Sequence, residues 1–142
     1  MFIGRYHHTI DSKGRIIVPA KIREGLGDNF VVTKGLDGSL TVYPLGQWQA
    51  FVDKLNALPS TNPDARAYQR FVFSGASECE VDKQGRILLP ADLREHAKLD
   101  KDVLFVGVNR LVEIWSKDVW EAYQDSKLEN SSMEEMAANL GI

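Results

Sequence analysis

A fourteen-residue segment occurs twice in this chain, and that duplication restricts the fold more than any other feature. Asp11-Ser-Lys-Gly-Arg-Ile-Ile-Val-Pro-Ala-Lys-Ile-Arg-Glu24 returns 71 positions later as Asp82-Lys-Gln-Gly-Arg-Ile-Leu-Leu-Pro-Ala-Asp-Leu-Arg-Glu95, with eight of fourteen positions identical. Three substituted positions, Ile17/Leu88, Val18/Leu89 and Ile22/Leu93, exchange one aliphatic for another. A duplicated unit with few strands leaves sheet edges unpaired. The two units are therefore expected to fold as one body, with helices rather than a flexible linker between them.

Each copy has a local physical reading. Gly14 and Gly85 permit positive φ and mark a tight turn. The aliphatic runs that follow, Ile16 to Val18 and Ile87 to Leu89, predict a short buried strand. Val18 and Leu89 precede prolines and are pushed toward extended geometry. Pro19 and Pro90 then suit the first turn of a helix, where no amide donor is needed. The unit reads strand, Gly-Arg turn, strand, short helix, with Arg15 or Arg86 at the tip of the turn.

The rest of the chain repeats as well. Phe2 to Ile10 alternates and predicts a strand. Phe30 to Lys34 and Leu40 to Tyr43 flank an Asp-Gly hairpin signal. Leu45, Trp48, Phe51, Val52, Leu55 and Leu58 recur at helical spacing up to Pro59. Asn62 is placed to cap a second helix running to about Ser74, with Pro63 at its first position. The pattern then restarts: a strand from Ser77 to Val81, the second Gly-Arg turn, a strand from Val103 to Val108 aligned with Val31 onward at an offset of 72, a return strand from Leu111, and a helix capped by Ser116. A short acidic helix follows Ser132. The expected architecture is α+β, two tandem ββαββ units each followed by helices. The boundaries are 5–47 for the first repeat, 48–75 for connecting helices, 76–119 for the second repeat and 120–142 for a helical tail.

Composition narrows the function classes. No run reaches the length of a membrane span, and the N-terminus lacks the apolar core of a signal peptide. A single cysteine, Cys79, cannot form an internal disulfide, and a reducing cytoplasm is the simplest setting. Glu78 and Glu80 beside it argue against a reactive thiolate. Net charge is −3, but residues 1–70 hold nine Lys/Arg against six Asp/Glu while residues 71–142 hold eight against fourteen. A basic patch on a mildly acidic chain can bind phosphate if it is clustered, and more so if oligomerisation multiplies it. Apolar helix faces at 45–58, 64–74 and 117–123 exceed what two small units need, which predicts an interface between copies.

The motif Asp11-x-x-x-Arg15, its copy Asp82-x-x-x-Arg86, the Pro-Ala after each aliphatic run, Tyr43-Pro44 with Trp48, and Glu113-Ile-Trp115 with Trp120 together resemble the MraZ family over nearly the whole chain. The resemblance implies two swapped-hairpin modules of the SpoVT-AbrB type, each half of a double-split β-barrel. It implies a cytoplasmic, nucleoid-associated transcriptional regulator that binds double-stranded DNA. The DNA would be short direct repeats upstream of its own division and cell-wall gene cluster, repression the usual result, and the assembly a ring-shaped homo-oligomer. Neither a cofactor nor a small-molecule substrate is expected. An antitoxin-like regulator of other genes, or an interaction ring without a DNA role, stays open.

Arg15 and Arg86 are the candidate DNA contacts, because the guanidinium fork fits phosphate or the O6/N7 edge of guanine. Asp11 and Asp82, four residues earlier, would orient each Arg without using all five donors, and Gly14 and Gly85 shape the turns. Lys13 and Lys83 add charge nearby; Arg5, His7 and His8 would flank the surface. The first loop lies in the basic half and is expected to dominate binding. Adjacent histidines on a strand face opposite ways and cannot easily chelate one metal ion. Arg23 and Arg94, each beside a glutamate, are expected on a solvated or bridging face. Asp11 and Asp82 could pair as an acid–base couple across a pseudo-twofold. No nucleophile–base arrangement, metal-ligand spacing or phosphate-cradling loop accompanies them, so the expected class is not an enzyme.

Overall fold

A computed structural model describes residues 1–142. The first copy begins with strand β1 (Arg5–Thr9), turns at Gly14 with φ of 90°, and returns as β2 (Arg15–Ile17). Helix α1 (Ala20–Leu26) starts directly after Pro19 and stops at Gly27, whose φ is 76°. Strands β3 (Asn29–Lys34) and β4 (Leu40–Pro44) form a hairpin, then helices α2 (Leu45–Asn56) and α3 (Pro63–Gly75) follow. Asn62 caps α3 as expected, its side chain accepting from the amides of Asp64 and Ala65. The second copy comprises β5 (Ser77–Glu80), β6 (Arg86–Leu88), α4 (Ala91–His96), β7 (Asp102–Val108), β8 (Leu111–Ser116) and α5 (Lys117–Glu129), with α6 (Met133–Asn139) as the tail.

The copies exchange strands. A six-stranded antiparallel sheet runs β1-β7-β8-β4-β3-β5, and a separate antiparallel ribbon joins β2 to β6. Thus β1 of the first copy pairs only with β7 of the second, and β5 of the second only with β3 of the first. The central seam pairs β4 with β8, Thr41 facing Glu113. In the ribbon, Ile16 faces Ile87. Both isoleucines are buried in one cluster with Phe30, Val32, Phe105, Val112 and Ile114 from the sheet. Every strand pairing except the two hairpins therefore joins one copy to the other, which is the single body expected from the unpaired edges.

The opposite face of the sheet is covered by helices. Leu104, Val106 and Trp115 lie under Val119, Trp120 and Tyr123 of α5. Tyr43 stacks on Phe51 of α2 with centroids 5.1 Å apart, and Trp48 meets Phe73 of α3 edge-on at 6.0 Å. Much of the apolar helix surface is thus used within the chain. Leu45, Leu58, Tyr68 and Phe73 stay exposed.

One alignment changes. The ribbon motif repeats at an offset of 71, but Phe30 faces Cys79 where Val103 faces His8. Phe30 is therefore the counterpart of Val103, and Val32 of Phe105, which is an offset of 73 and not the 72 read from sequence. The second copy has two extra residues before β7. Its hairpin is one residue shorter, because Lys34 pairs with Leu40 but Gly107 with Val112. Strand β7 is buried on both faces, so its apolar run carries no period that could show the slip.

Candidate nucleic-acid interface

Each Gly-Arg turn is built around one aspartate. Asp11 Oδ1 accepts the amides of Lys13 and Arg15, both at 2.9 Å, and Oδ2 accepts Arg15 Nε at 2.8 Å. The Asp11 carbonyl accepts the Gly14 amide at 3.0 Å. The second copy reproduces the arrangement. Asp82 Oδ1 accepts the amides of Gln84 and Arg86 at 2.9 Å, and Oδ2 accepts Arg86 Nε at 3.2 Å. The turns also lock to one another. The Leu89 amide donates to the Gly14 carbonyl at 2.8 Å and the Val18 amide to the Gly85 carbonyl at 2.9 Å.

These bonds use only Nε of each arginine. Four of the five guanidinium N–H donors of Arg15 and of Arg86 stay uncommitted. The side chains are 38% and 30% exposed, enough to reach outward while the stems are held. The ribbon register then places both on one surface. Ile16 and Ile87 point into the core, so alternation turns Arg15, Ile17, Arg86 and Leu88 to the outer face. Arg15 faces Leu88 and Ile17 faces Arg86, leaving the arginines on a diagonal, with Cα atoms about 7–8 Å apart. The sequence placed them on two separate loops; the fold brings them onto one patch.

Lys13 and Lys83 lie exposed on the same two turns. Arg5 is different: it opens β1, at the end away from Asp11, and six extended residues span about 20 Å. His7 is engaged, with Nε2 2.8 Å from Asp102 Oδ1. His8 packs edge-on to Phe105, and burial, with His7 second, lowers its pKa. Arg23 and Arg94 are bridging residues. Arg94 of the second copy donates from Nε to the Leu89 carbonyl at 3.1 Å and lies against Gly14 of the first. Arg23 binds Asp28 through Nε and Nη2, with Nη1 toward Gly85. Ile17 and Leu88 correct the sequence reading, which took the whole aliphatic runs as buried: they are 47% and 60% exposed. Strand alternation around the buried Ile16 and Ile87 was the signal that could have found them.

The carboxyls of Asp11 and Asp82 are held below the usual carboxylate range, first by the amides of Arg15 and Arg86 respectively. For a depressed pKa, the stabilising contribution is full above the unfolded value of about 3.9 and disappears as pH falls through the folded value. Denaturant melts at pH 6 and at successively lower pH should show loop-dependent stability lost only below about pH 4. Asp11→Asn with Asp82→Asn should flatten that part of the curve.

Comparison with known proteins agrees with the repeat. The family model described as "MraZ protein, putative antitoxin-like" matches twice, over residues 1–71 and 72–141. The chain is 61% identical over 140 residues to the protein named transcriptional regulator MraZ of Caldanaerobacter subterraneus subsp. tengcongensis, covering 99% of this chain and 96% of that one. It is 59% identical to the protein of the same name from Desulfitobacterium hafniense and 52% to that from Clostridium acetobutylicum, each covering 100% of both chains. Among solved structures, the solution structure of PHS018 from Pyrococcus horikoshii aligns with a TM-score of 0.34 at 18% identity, over 80% of this chain and 88% of that one, too loose to carry an argument. The duplicated Asp-x-x-x-Arg turn, the full-length match in two tandem units and the identity to these relatives lead to one conclusion: the chain belongs to the MraZ family.

Proposed function

We propose that this protein is a transcriptional regulator that binds double-stranded DNA sequence-specifically through the outer face of the β2–β6 ribbon. The observation that carries the reading is the pair of arginines on that face, each oriented by an aspartate through Nε and each keeping its terminal donors free. A two-stranded ribbon is a shape the major groove admits, and a free guanidinium fork matches guanine O6 and N7. The names of the relatives, transcriptional regulators, agree. The ribbon and the six-stranded sheet share one core, which supports their description as the two sides of a double-split β-barrel.

Charge requires more than one copy. Lys13, Arg15, Lys83 and Arg86 outnumber Asp11 and Asp82 by two on this face, whereas the chain carries −3. Linking several such faces raises effective concentration without new contacts. A ring of identical chains on short direct repeats upstream of its own division and cell-wall genes, acting as a repressor at the nucleoid, meets that need. Exposed Leu45, Leu58, Tyr68 and Phe73 on α2, α3 and the segment between them supply apolar surface for it. Fluorescence anisotropy with a duplex from the region upstream of its own gene tests the reading. Binding should weaken linearly in log affinity against log salt, each neutralised phosphate adding about −0.9 to the slope. No binding at low salt, or binding indifferent to salt, rejects it.

A further inference from the structure

The outer face of the ribbon carries two aliphatic side chains that the charge argument leaves unused. Ile17 and Leu88 are 47% and 60% exposed, on the shortest strands of the protein, between two arginines. The register makes a square: Arg15 faces Leu88, Ile17 faces Arg86, and like residues sit on the diagonals. Exposed branched aliphatics cost solubility and bring no ion pairing. Lys13, Arg15, Lys83 and Arg86 still outnumber Asp11 and Asp82 on this face, with Glu24 and Asp28 confined to the cleft beside Ile17, so the face suits a polyanion rather than an apolar protein surface.

We propose that Ile17 and Leu88 are specificity-determining residues that pack on thymine C5-methyl groups next to the guanines contacted by Arg15 and Arg86. In the major groove thymine is the base that presents a methyl group, and apolar side chains recognise it. The spacing fits. Directly opposed residues on an antiparallel pair are about 4.5–5.5 Å apart at Cβ. Stacked base pairs rise about 3.4 Å. An arginine on one base pair therefore sets its aliphatic neighbour over the next pair or the one after. Each half of the square reads a guanine and a nearby thymine. The arginines read guanine, and the aliphatic positions add a discrimination for thymine that neither the arginines nor phosphate contacts supply.

This inference rests on the ribbon being the DNA-reading face, so the experiment separates the two. Duplex DNA from the region upstream of its own gene is prepared with thymidine or with deoxyuridine throughout, a change that removes only the methyl groups. Wild-type protein should bind the uracil duplex more weakly, by roughly fourfold for each methyl packed against an aliphatic side chain. Ile17→Ala with Leu88→Ala should bind the two duplexes alike, at an unchanged melting temperature and oligomeric state. Equal wild-type affinity for both duplexes overturns the inference while leaving DNA binding intact. An oligomer that dissociates in the double variant, with thymine preference unchanged, also overturns it and makes the face a protein interface. Failure of the wild type to bind either duplex instead overturns the proposed function itself.

Discussion

Replacing either Arg15 or Arg86 by alanine should weaken binding to operator DNA by roughly 30-fold or more while barely moving the melting temperature. One lost arginine–base contact costs about 1–3 kcal/mol per engaged site. If two copies engage together, the loss is about 2–6 kcal/mol, or roughly 30-fold to more than ten-thousandfold. The ion pairs removed are partly exposed, at 38% and 40% for Arg15 and Asp11 and 30% and 44% for Arg86 and Asp82. Solvent-screened pairs of that kind contribute little to stability. Binding and stability should therefore separate. The two substitutions should also be similar in effect. The acidic second half of the chain would favour Arg15 if each half kept its own field. The arginine Cα atoms are instead about 7–8 Å apart on one ribbon, within a screening length of about 8–10 Å. Anisotropy titrations with thermal melts decide it. Normal binding by one variant and none by the other would contradict a shared patch.

The second large effect is an asymmetry between glycines that the repeat makes look equivalent. Gly14→Ala should destabilise the fold by about 2–5 kcal/mol, from two sources. Gly14 has φ of 90°, and a side chain in left-handed backbone costs about 1–2 kcal/mol. An added Cβ would also lie 2.6 Å from the Leu89 carbonyl oxygen and 2.8 Å from Arg94 Nε, inside the hydrogen bond those atoms make. Overpacking of that kind costs about 1–3 kcal/mol. Gly85 has φ of 79° but only Arg23 Nη1 nearby, at 3.5 Å, an ordinary contact. Gly85→Ala should carry the backbone cost alone, about 1–2 kcal/mol. Urea denaturation of both variants measures the difference. Equal losses would mean that the Leu89 carbonyl and Arg94 do not pack tightly against the first turn.

The features legible in the sequence were those set by local chemistry. Asn62 and Ser116 cap the helices expected of them, and the short acidic helix after Ser132 forms as expected. Pro19 and Pro90 precede α1 and α4, and the two Asp-x-x-x-Arg turns form where the motif stands. That the copies fold as one body was legible too; which strand of one copy pairs with which strand of the other was not. The pairing of β1 with β7 is selected by which apolar faces close a common core, and neither strand carries that information alone. The same exchange removes the meaning of charge counted by sequence halves, since Arg86 shares its ribbon with Arg15. Ile17 and Leu88 were misplaced because an aliphatic run reads as buried on both faces; the ribbon buries one face only.

The claim that the ribbon's outer face meets DNA is tested most directly by where a cross-link forms. Gln84 stands exposed in the second turn, and Glu121 stands exposed on α5, whose inner face packs on the far side of the sheet. The native Cys79 is buried and its thiol is pushed up to about 11 by burial, so a thiol-directed photo-cross-linker near neutral pH labels an introduced cysteine instead. Gln84→Cys and Glu121→Cys proteins are labelled, mixed with operator duplex and irradiated. Cross-linking to DNA from position 84 and none from position 121 is the predicted result; cross-linking from 121 with none from 84 would contradict it.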